Sequence, residues 1–408
     1  MCSTTQSLTD KKPFEKKYFL ASFFDQHWDK YLLKSKYPIS TVQHKAVNAI
    51  RKCRTAALGM DVYTCNDCEK SVEIYHSCRN RFCPNCSWAE TVKWAKVVHS
   101  HLLNIPHRHV VMTVPHDLNY LIRRNSKFFF ETLLSVSSAL MKDYIRSKYN
   151  VEAGIISVLH TYGEKKNLHL HVHMIVSWGG IDKKKKVLKS IPVGDYVDYC
   201  KLKNLFRGKM IVAINSAYNS SLLQHNFTDK DEYKVFIDNL CSVPWILNLE
   251  PPMDLPEQVV RYIGRYSKRA CLSEYKITNI EGDYISFKYK DYRQKDEQGK
   301  YREKILRLHY HDFFPLLLQH VPLRNFRQVR YYSVYATRAN ILEEYKNKNV
   351  YVEPSVSEVT IDITEECVSC KGKMKLTKSI IEKGSIMWFI EQKKMNKIQK
   401  ISFKKIAA

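Results

Sequence analysis

The sequence predicts an α+β protein: a central antiparallel sheet backed by helices, with a small helical module built around cysteine pairs ahead of it. Two observations carry this prediction. The run Leu168-His169-Leu170-His171-Val172-His173-Met174-Ile175-Val176 has the strict period of two of an extended strand, and other apolar strand-like runs alternate with longer helical patterns. Cys65-Asn66-Asp67-Cys68 and Cys83-Pro84-Asn85-Cys86 precede that run with metal-ligand spacing. In the histidine strand all three imidazoles project from one face, while Leu168, Leu170, Val172, Met174 and Val176 form an apolar underside suited to covering helices. Buried imidazoles need partners, and three in one register make a comb for a metal ion.

The chain has 408 residues, enough for about two or three domains with a full core. Lys and Arg total 66 against 41 Asp and Glu, a net charge of +25, and the pI is about 9.4. Such an excess favours a polyanion as partner. No run approaches the ~20 apolar residues that a membrane span requires, and Met1 to Lys12 is polar with no apolar signal core. The expectation is a cytoplasmic, nucleoid-associated protein without a membrane partner. In that compartment the 12 cysteines read as metal ligands and core thiols, not disulfides.

From the amino end, Phe23, Phe24, Trp28, Tyr31, Leu32, Leu33, Val47 and Ile50 recur at three-to-four spacing, which predicts helices between 14 and 58. The two Cys-x-x-Cys pairs follow. Cys65, Cys68, Cys83 and Cys86 are expected to close on one tetrahedral Zn²⁺ with a structural role only, because four thiolates leave no open position. Cys78, His76 and Cys53 are surplus to that site; either one of them replaces a knuckle cysteine or they build a second site, and the sequence leaves both open. Arg51, Lys52, Arg54, Arg79, Arg81 and Lys93 thread through the module and suit phosphate contacts to a duplex or hairpin.

Residues 108 to 115 read as a buried strand closed by Pro115, 127 to 148 as a helix and 155 to 162 as a second strand. The turn from that strand into the histidine strand decides where His160 points. A four-residue turn, 163 to 166, sets His160 opposite His169 on the same face, and a five-residue turn points it away. Lys183 to Lys186 reads as a solvated loop. Residues 191 to 250 hold helical segments in which Cys200 and Cys241 read as core thiols.

A helix is expected from Asp254, which caps it, with Glu257 answering three residues on and Pro256 in its first turn. Val259 and Ile263 mark its buried stripe, Tyr262 and Tyr266 stand about one turn apart at the edge, and Arg261, Arg265 and Arg269 fill the adjoining arc. Two phenols beside guanidinium groups suit nucleophilic attack on a phosphate. With 26 tyrosines such pairs recur, as Tyr331 and Tyr335 show, so the spacing alone is a weak signal. Strands around Gly282-Asp283 read as a hairpin. Residues 308 to 321 read as a helix whose His309, His311 and His320 are structural or phosphate-facing. Residues 354 to 366 form an acidic linker, and Cys367-Val368-Ser369-Cys370 is a lone knuckle, half of a zinc site whose other ligands the sequence does not name. The Lys-rich stretch from Lys393 to Lys405 adds nonspecific affinity for DNA.

Several of these segments together resemble one family. They are Cys53-Arg54-Thr55-Ala56-Ala57-Leu58-Gly59, Ser77-Cys78-Arg79-Asn80-Arg81 with the following Cys83 and Cys86, Leu159-His160-Thr161-Tyr162-Gly163 leading to the histidine comb, and Arg261-Tyr262 with Arg265-Tyr266. In this order, from about 40 to 340, they resemble the transposases of rolling-circle insertion sequences, the two-tyrosine HUH class of the insertion-sequence ninety-one group. Phe82 stands where that family often has a knuckle histidine, and His169-Leu170 replaces the usual His-Pro.

With the resemblance, the expected domains are a helical lead-in and zinc-binding domain over 14–100 and an HUH nuclease domain over 105–345; composition adds an acidic linker over 346–366 and a basic extension over 367–408. It implies a single-strand DNA endonuclease and strand transferase acting on single-stranded DNA and transposon-end hairpins. His171 and His173, with His169 beside them, would hold a divalent ion on the scissile phosphate, and His160 joins them if the four-residue turn sets it on their face. Tyr262 and Tyr266 would attack it to leave a 5′-phosphotyrosine and a free 3′-OH. Imidazole suits Zn²⁺ or Ni²⁺, whereas the resemblance implies Mg²⁺ or Mn²⁺; a hard ion that keeps waters and takes the substrate phosphate as a ligand reconciles the two. The sequence holds no Gly-x-x-x-x-Gly-Lys-Ser/Thr loop, in keeping with a covalent ester that conserves the bond energy. The rival readings are a rolling-circle plasmid replication initiator, a non-catalytic zinc-dependent DNA binder, and a His-rich hydrolase of small substrates. The last is disfavoured by the charge and by the lack of Asp or Glu around the comb.

Overall fold

The computed structural model describes residues 20–99, 101–182, 184–185, 187–253, 258–259, 270–336, 366–367 and 369–381. The helical lead-in folds as α1 (Leu20–Lys34) and α2 (Thr41–Arg51), the latter begun by a reciprocal capping box between Ser40 and Gln43. Strands β1 (Gly59–Cys65) and β2 (Ser71–Tyr75) form a hairpin, and α3 (Pro84–His99) follows with Pro84 in its first turn.

The central sheet is built from β3 (His107–Thr113), β4 (Gly154–Tyr162), β5 (Leu168–Ser177), β8 (Ile246–Leu249) and β12 (Val329–Ser333). Its order is β12-β4-β5-β3-β8, and every neighbouring pair is antiparallel. A short ribbon pairs β6 (Gly179–Asp182) with β7 (Val187–Ser190). The helices packed on the central sheet are α4 (Asn119–Arg124), α5 (Ser126–Tyr149), α6 (Tyr199–Asn219) and α7 (Lys230–Ser242). Asp198 and Asp229 cap α6 and α7 by accepting from backbone N–H groups three residues on. The predicted hairpin around Gly282 and Asp283 joins β9 (Ile277–Glu281) to β10 (Tyr284–Lys295), and β11 (Tyr301–His309) completes that sheet before α8 (Tyr310–Leu318). Last, β13 (Met374–Ile381) pairs with β1, so the third sheet has the order β13-β1-β2.

Leu168, Leu170, Val172, Met174 and Val176 are all buried in the main core with Leu133, Leu134 and Met141 of α5 and Phe206 and Met210 of α6. The apolar half of the histidine strand therefore packs as its period of two requires. On the opposite face Ile156 and Ile175 join Trp94, Ala95 and Val98 of α3, together with Val259 and Tyr335. A third core unites α1, α2 and α8, where Phe24 stacks on Phe314 at a centroid distance of 5.0 Å. Cys200 and Cys241, expected as core thiols, are instead exposed, because each falls on the solvent side of its helix. None of the described helices is long and apolar enough to cross a membrane.

Candidate active site and metal centres

The site begins with register. Tyr162 pairs with Leu168, so the connection between β4 and β5 spans the five residues 163 to 167, the length that should turn His160 away. An irregularity between His160 and Tyr162 changes that parity: His160 pairs with His171, Val158 with His173 and Ile156 with Ile175. An extra residue in one strand of a pair shifts all those beyond it by one, which here brings His160 onto the histidine face. From β3, Thr113 pairs with His171, Val111 with His173 and His109 with Ile175, so His109 shares the face too.

One donor nitrogen from each of His160, His171 and His173 can be chosen so that all lie within 4.8 Å of one another. The Nδ1 of His171 is 2.8 Å from the His169 carbonyl, which can only accept, so His171 carries its lone pair on Nε2. His109 Nδ1 faces Glu250 Oε1 at 3.3 Å and its Nε2 is 2.9 Å from His173 Nδ1. With its proton on Nδ1 facing the carboxylate, His109 accepts at Nε2 from His173 Nδ1–H, and the His173 lone pair also falls on Nε2. Those two Nε2 atoms are 3.1 Å apart. Metal–nitrogen bonds of ~2.0–2.1 Å place neighbouring ligand atoms about 2.8–3.4 Å apart. Two lone pairs aimed at one another repel unless a cation lies between them, so the donor set fits a bound ion. Burial, reinforced by His160, holds His171 and His173 well below the ordinary imidazole range and keeps them neutral, the form that ligates.

His169, the first tooth of the comb, is not one of the three. Its ring lies 4.9 Å from that of His171 and 5.1 Å from that of His116, and it contributes its backbone carbonyl. Of the two residues that orient His173, the sequence places His109 in a buried strand and Glu250 at the end of a helical stretch, and nothing in their spacing marks them.

The histidines line a cleft of about 690 Å³ together with Lys166, Lys276, Lys288, Lys290, Tyr289 and Tyr292. Lys166 is 2% exposed, with a left-handed φ of 65°, and its carbonyl accepts from Gln319 and His320. Burial pulls its amine down to about 8. Ala270 and Cys271 also line the cleft. Tyr262, Tyr266, Arg261, Arg265 and Arg269 lie outside the described residues, as do most of the expected helix from Asp254 and the acidic linker. Arg79 and Arg81 are exposed, and Arg81 donates to the Phe326 carbonyl at 3.3 Å beside a second pocket that reaches His160.

The cysteines correct the expected ligand set. Cys65 and Cys68 do not meet Cys83 and Cys86. The latter pair joins Cys53 and Cys78 in a wholly buried cluster, with Sγ separations of 3.4 Å for Cys53 to Cys86 and 3.6 Å for Cys78 to Cys86. Cys65 and Cys68 lie instead with Cys367 and Cys370. The reason is local. Pro84 starts α3 at once, so Cys83 and Cys86 occupy a helix N-terminus, whose dipole favours thiolates, and that end abuts the turn just past α2 in which Cys53 lies. His76 is in neither cluster; it contacts the Leu58 carbonyl at 3.1 Å and Asp61 at 3.0 Å.

Comparison with known proteins now bears on this geometry. Residues 23–114 match the "Transposase zinc-binding domain" family of the insertion-sequence ninety-one type, and residues 154–341 match the "Putative transposase" family. The chain belongs to the insertion-sequence ninety-one family of transposases. Among the relatives of this transposase is the "Putative transposase y4qJ" of Sinorhizobium fredii, 28% identical over 307 residues that cover 74% of the chain and 76% of the relative. Another is the "Transposase for insertion sequence element IS801" of Pseudomonas savastanoi pv. phaseolicola, 25% identical over 358 residues, 83% of the chain and 84% of the relative. No solved structure matches the transposase. Its zinc-binding match takes in the Cys53, Cys78, Cys83 and Cys86 cluster, supporting a structural zinc, and ends far short of Cys367 and Cys370.

Proposed function

We propose that this transposase cuts and rejoins single-stranded DNA by the HUH mechanism, with Tyr262 and Tyr266 as nucleophiles and His160, His171 and His173 as ligands of a catalytic Mg²⁺ or Mn²⁺. The observation that carries the reading is the convergence of those three imidazoles from β4 and β5 at the base of a cleft edged with lysines. The described residues on either side of the tyrosine segment belong to the same face: Val259 is fully buried against Ile156 and Ile175, and Ala270 and Cys271 line the cleft.

A divalent ion held by His160, His171 and His173 would polarise the scissile phosphate and lower the cost of the phenolate, which is otherwise scarce at an ordinary pKa of ~10. The tyrosine oxygen forms a bond to phosphorus as the bond to the 3′ oxygen breaks. The departing oxygen takes a proton and becomes a 3′-OH, and the 5′ phosphate stays on the phenol as a diester. Attack by another 3′-OH reverses the step without a nucleotide cofactor. Lys166 faces the same cleft and supplies a cation to the phosphate. Tyr275 and Tyr292, 67% and 60% exposed, stand among Lys276, Lys288 and Lys290, a pattern suited to stacking bases while the backbone is neutralised. Arg79, Arg81, Arg261, Arg265 and Arg269 serve hairpin phosphates in this reading.

The test incubates the full chain with a labelled single-stranded element end and Mn²⁺, followed by denaturing electrophoresis. A protein–DNA adduct that vanishes in the Tyr262→Phe/Tyr266→Phe double variant and in His171→Ala is the expected result. Cleavage without an adduct, or an adduct that survives in the double variant, would overturn the reading.

A further inference from the structure

We infer that Cys65, Cys68, Cys367 and Cys370 bind a second structural Zn²⁺, a clasp that ties the segment 366–381 to the amino-terminal module. All four sulfurs can lie within 4.8 Å of one another, with Cys65 to Cys370 at 3.4 Å and Cys68 to Cys367 at 3.6 Å. Those separations far exceed the ~2.05 Å of a disulfide. They approach the roughly 3.8 Å edge of a thiolate tetrahedron with Zn–S bonds of ~2.3 Å.

The two halves have the same backbone. In the first, Cys65 N–H donates to the Lys70 carbonyl and Glu69 N–H donates to the Cys65 carbonyl. In the second, Cys367 N–H donates to the Gly372 carbonyl and Lys371 N–H donates to the Cys367 carbonyl. Glu69 and Lys371, each four residues after the first cysteine, both adopt a left-handed φ, 57° and 63°. N–H groups also point at sulfur: Asp67 N–H at Cys65 and Gly372 N–H at Cys370, each at 3.4 Å. Amides aimed at sulfur stabilise thiolate over thiol. Two knuckles of one geometry, facing one another, present four such sulfurs to one point.

The halves are also fitted to one another. Asn66 N–H donates to the Lys373 carbonyl at 3.1 Å and Lys70 Nζ to Ser369 Oγ at 3.0 Å. A Cβ on Gly372 would come within 2.0 Å of the Asp67 carboxylate, so a larger residue here would have to push that side chain aside. What the sheet lacks is a core. Along β13 only Met374 is buried, β2 buries nothing, and the local apolar cluster is Cys65, Cys367 and Met374 with Tyr63 and Cys68 at its edge. A sheet that buries so little apolar surface needs a covalent or metal staple.

Cys65 and Cys68 fall within the span matched by the zinc-binding family while Cys367 and Cys370 lie far beyond it, and the site plays no part in strand transfer, so it stands or falls apart from the proposed function. The test measures zinc per chain by elemental analysis in the full chain and in Cys367→Ser/Cys370→Ser. The expected result is a loss of one zinc per chain, whatever the histidine site holds. A variant that keeps the wild-type zinc content would overturn the inference. Should the variant fail to fold, alkylation of the unmutated chain decides. Cys65, Cys68, Cys367 and Cys370 should resist iodoacetamide together and become reactive together once chelator strips the zinc, while the exposed Cys200 and Cys241 react throughout. Cys367 and Cys370 reacting as fast as Cys200 before chelation, or a mass four units low from two disulfides with no zinc lost on chelation, would sink it.

Discussion

His109 Nε2 sits 2.9 Å from His173 Nδ1, and on its far side His109 Nδ1 meets Glu250 at 3.3 Å. The three residues come from β5, β3 and the segment just past β8, so neighbouring strands fix the imidazole from behind. Partners behind a ligating imidazole set both its tautomer and its orientation.

His109→Ala should therefore weaken Mn²⁺ binding by ~10–100-fold, with a smaller loss for Glu250→Ala. Titration of Mn²⁺ followed by electron paramagnetic resonance of the free ion checks this. Wild-type affinity in both variants would mean that His173 needs no such support.

Cys53→Ser should remove one zinc and lower unfolding stability by at least a few kcal/mol, because a structural zinc site contributes folding energy directly. Cys53 is buried against Cys86 in the core that joins α1, α2 and α8. Cys200→Ser, at an exposed thiol, should change neither quantity. Denaturant unfolding with zinc analysis distinguishes this ligand set from one that pairs Cys65 and Cys68 with Cys83 and Cys86.

Acid should destabilise the fold through His107. It is fully buried, with Nε2 2.7 Å from the Tyr335 hydroxyl, and burial lowers it from the ordinary 6.5 to about 4. Between those values the unfolded chain binds a proton that the folded chain refuses, so stability falls as pH drops below 6.5 and is level above it. The full shift is worth about 3 kcal/mol. His320, between Thr161 and the Lys166 carbonyl, acts with the same sign. His107→Gln should flatten the decline in unfolding midpoint between pH 7 and pH 4.5; an unchanged slope would assign the acid sensitivity elsewhere.

Much of the fold was legible because local period and local burial agree. The two faces of β5, helices α1, α2 and α5, and the turn at Gly282 and Asp283 follow from spacing and turn chemistry within a few residues of one another. The site was legible only where it is local. His171 and His173 lie two apart on one strand and could be paired on sight. His160 could not, because turn length alone gives the wrong parity and the compensating irregularity beside Thr161 leaves no mark in composition. His109 looked like any residue of a buried strand, since its role depends on which strand lies beside β5. The cysteine partners were misread for the same reason, although Pro84, which favours a helix start over a second knuckle, was a usable sign. Cys200 and Cys241 were assigned to the core by residue type when helical phase places them outside.

The pairing of β1 with β13 also bears on how the chain is made. Cys65 and Cys370 are 305 residues apart, so at translation speeds of ~5–20 residues per second β1 leaves the ribosome some tens of seconds before its neighbour exists. Through that interval one border of the β1–β2 hairpin stays bare, open to the same border on another nascent copy. A message broken before β13 would yield chains that keep this adhesive border for good.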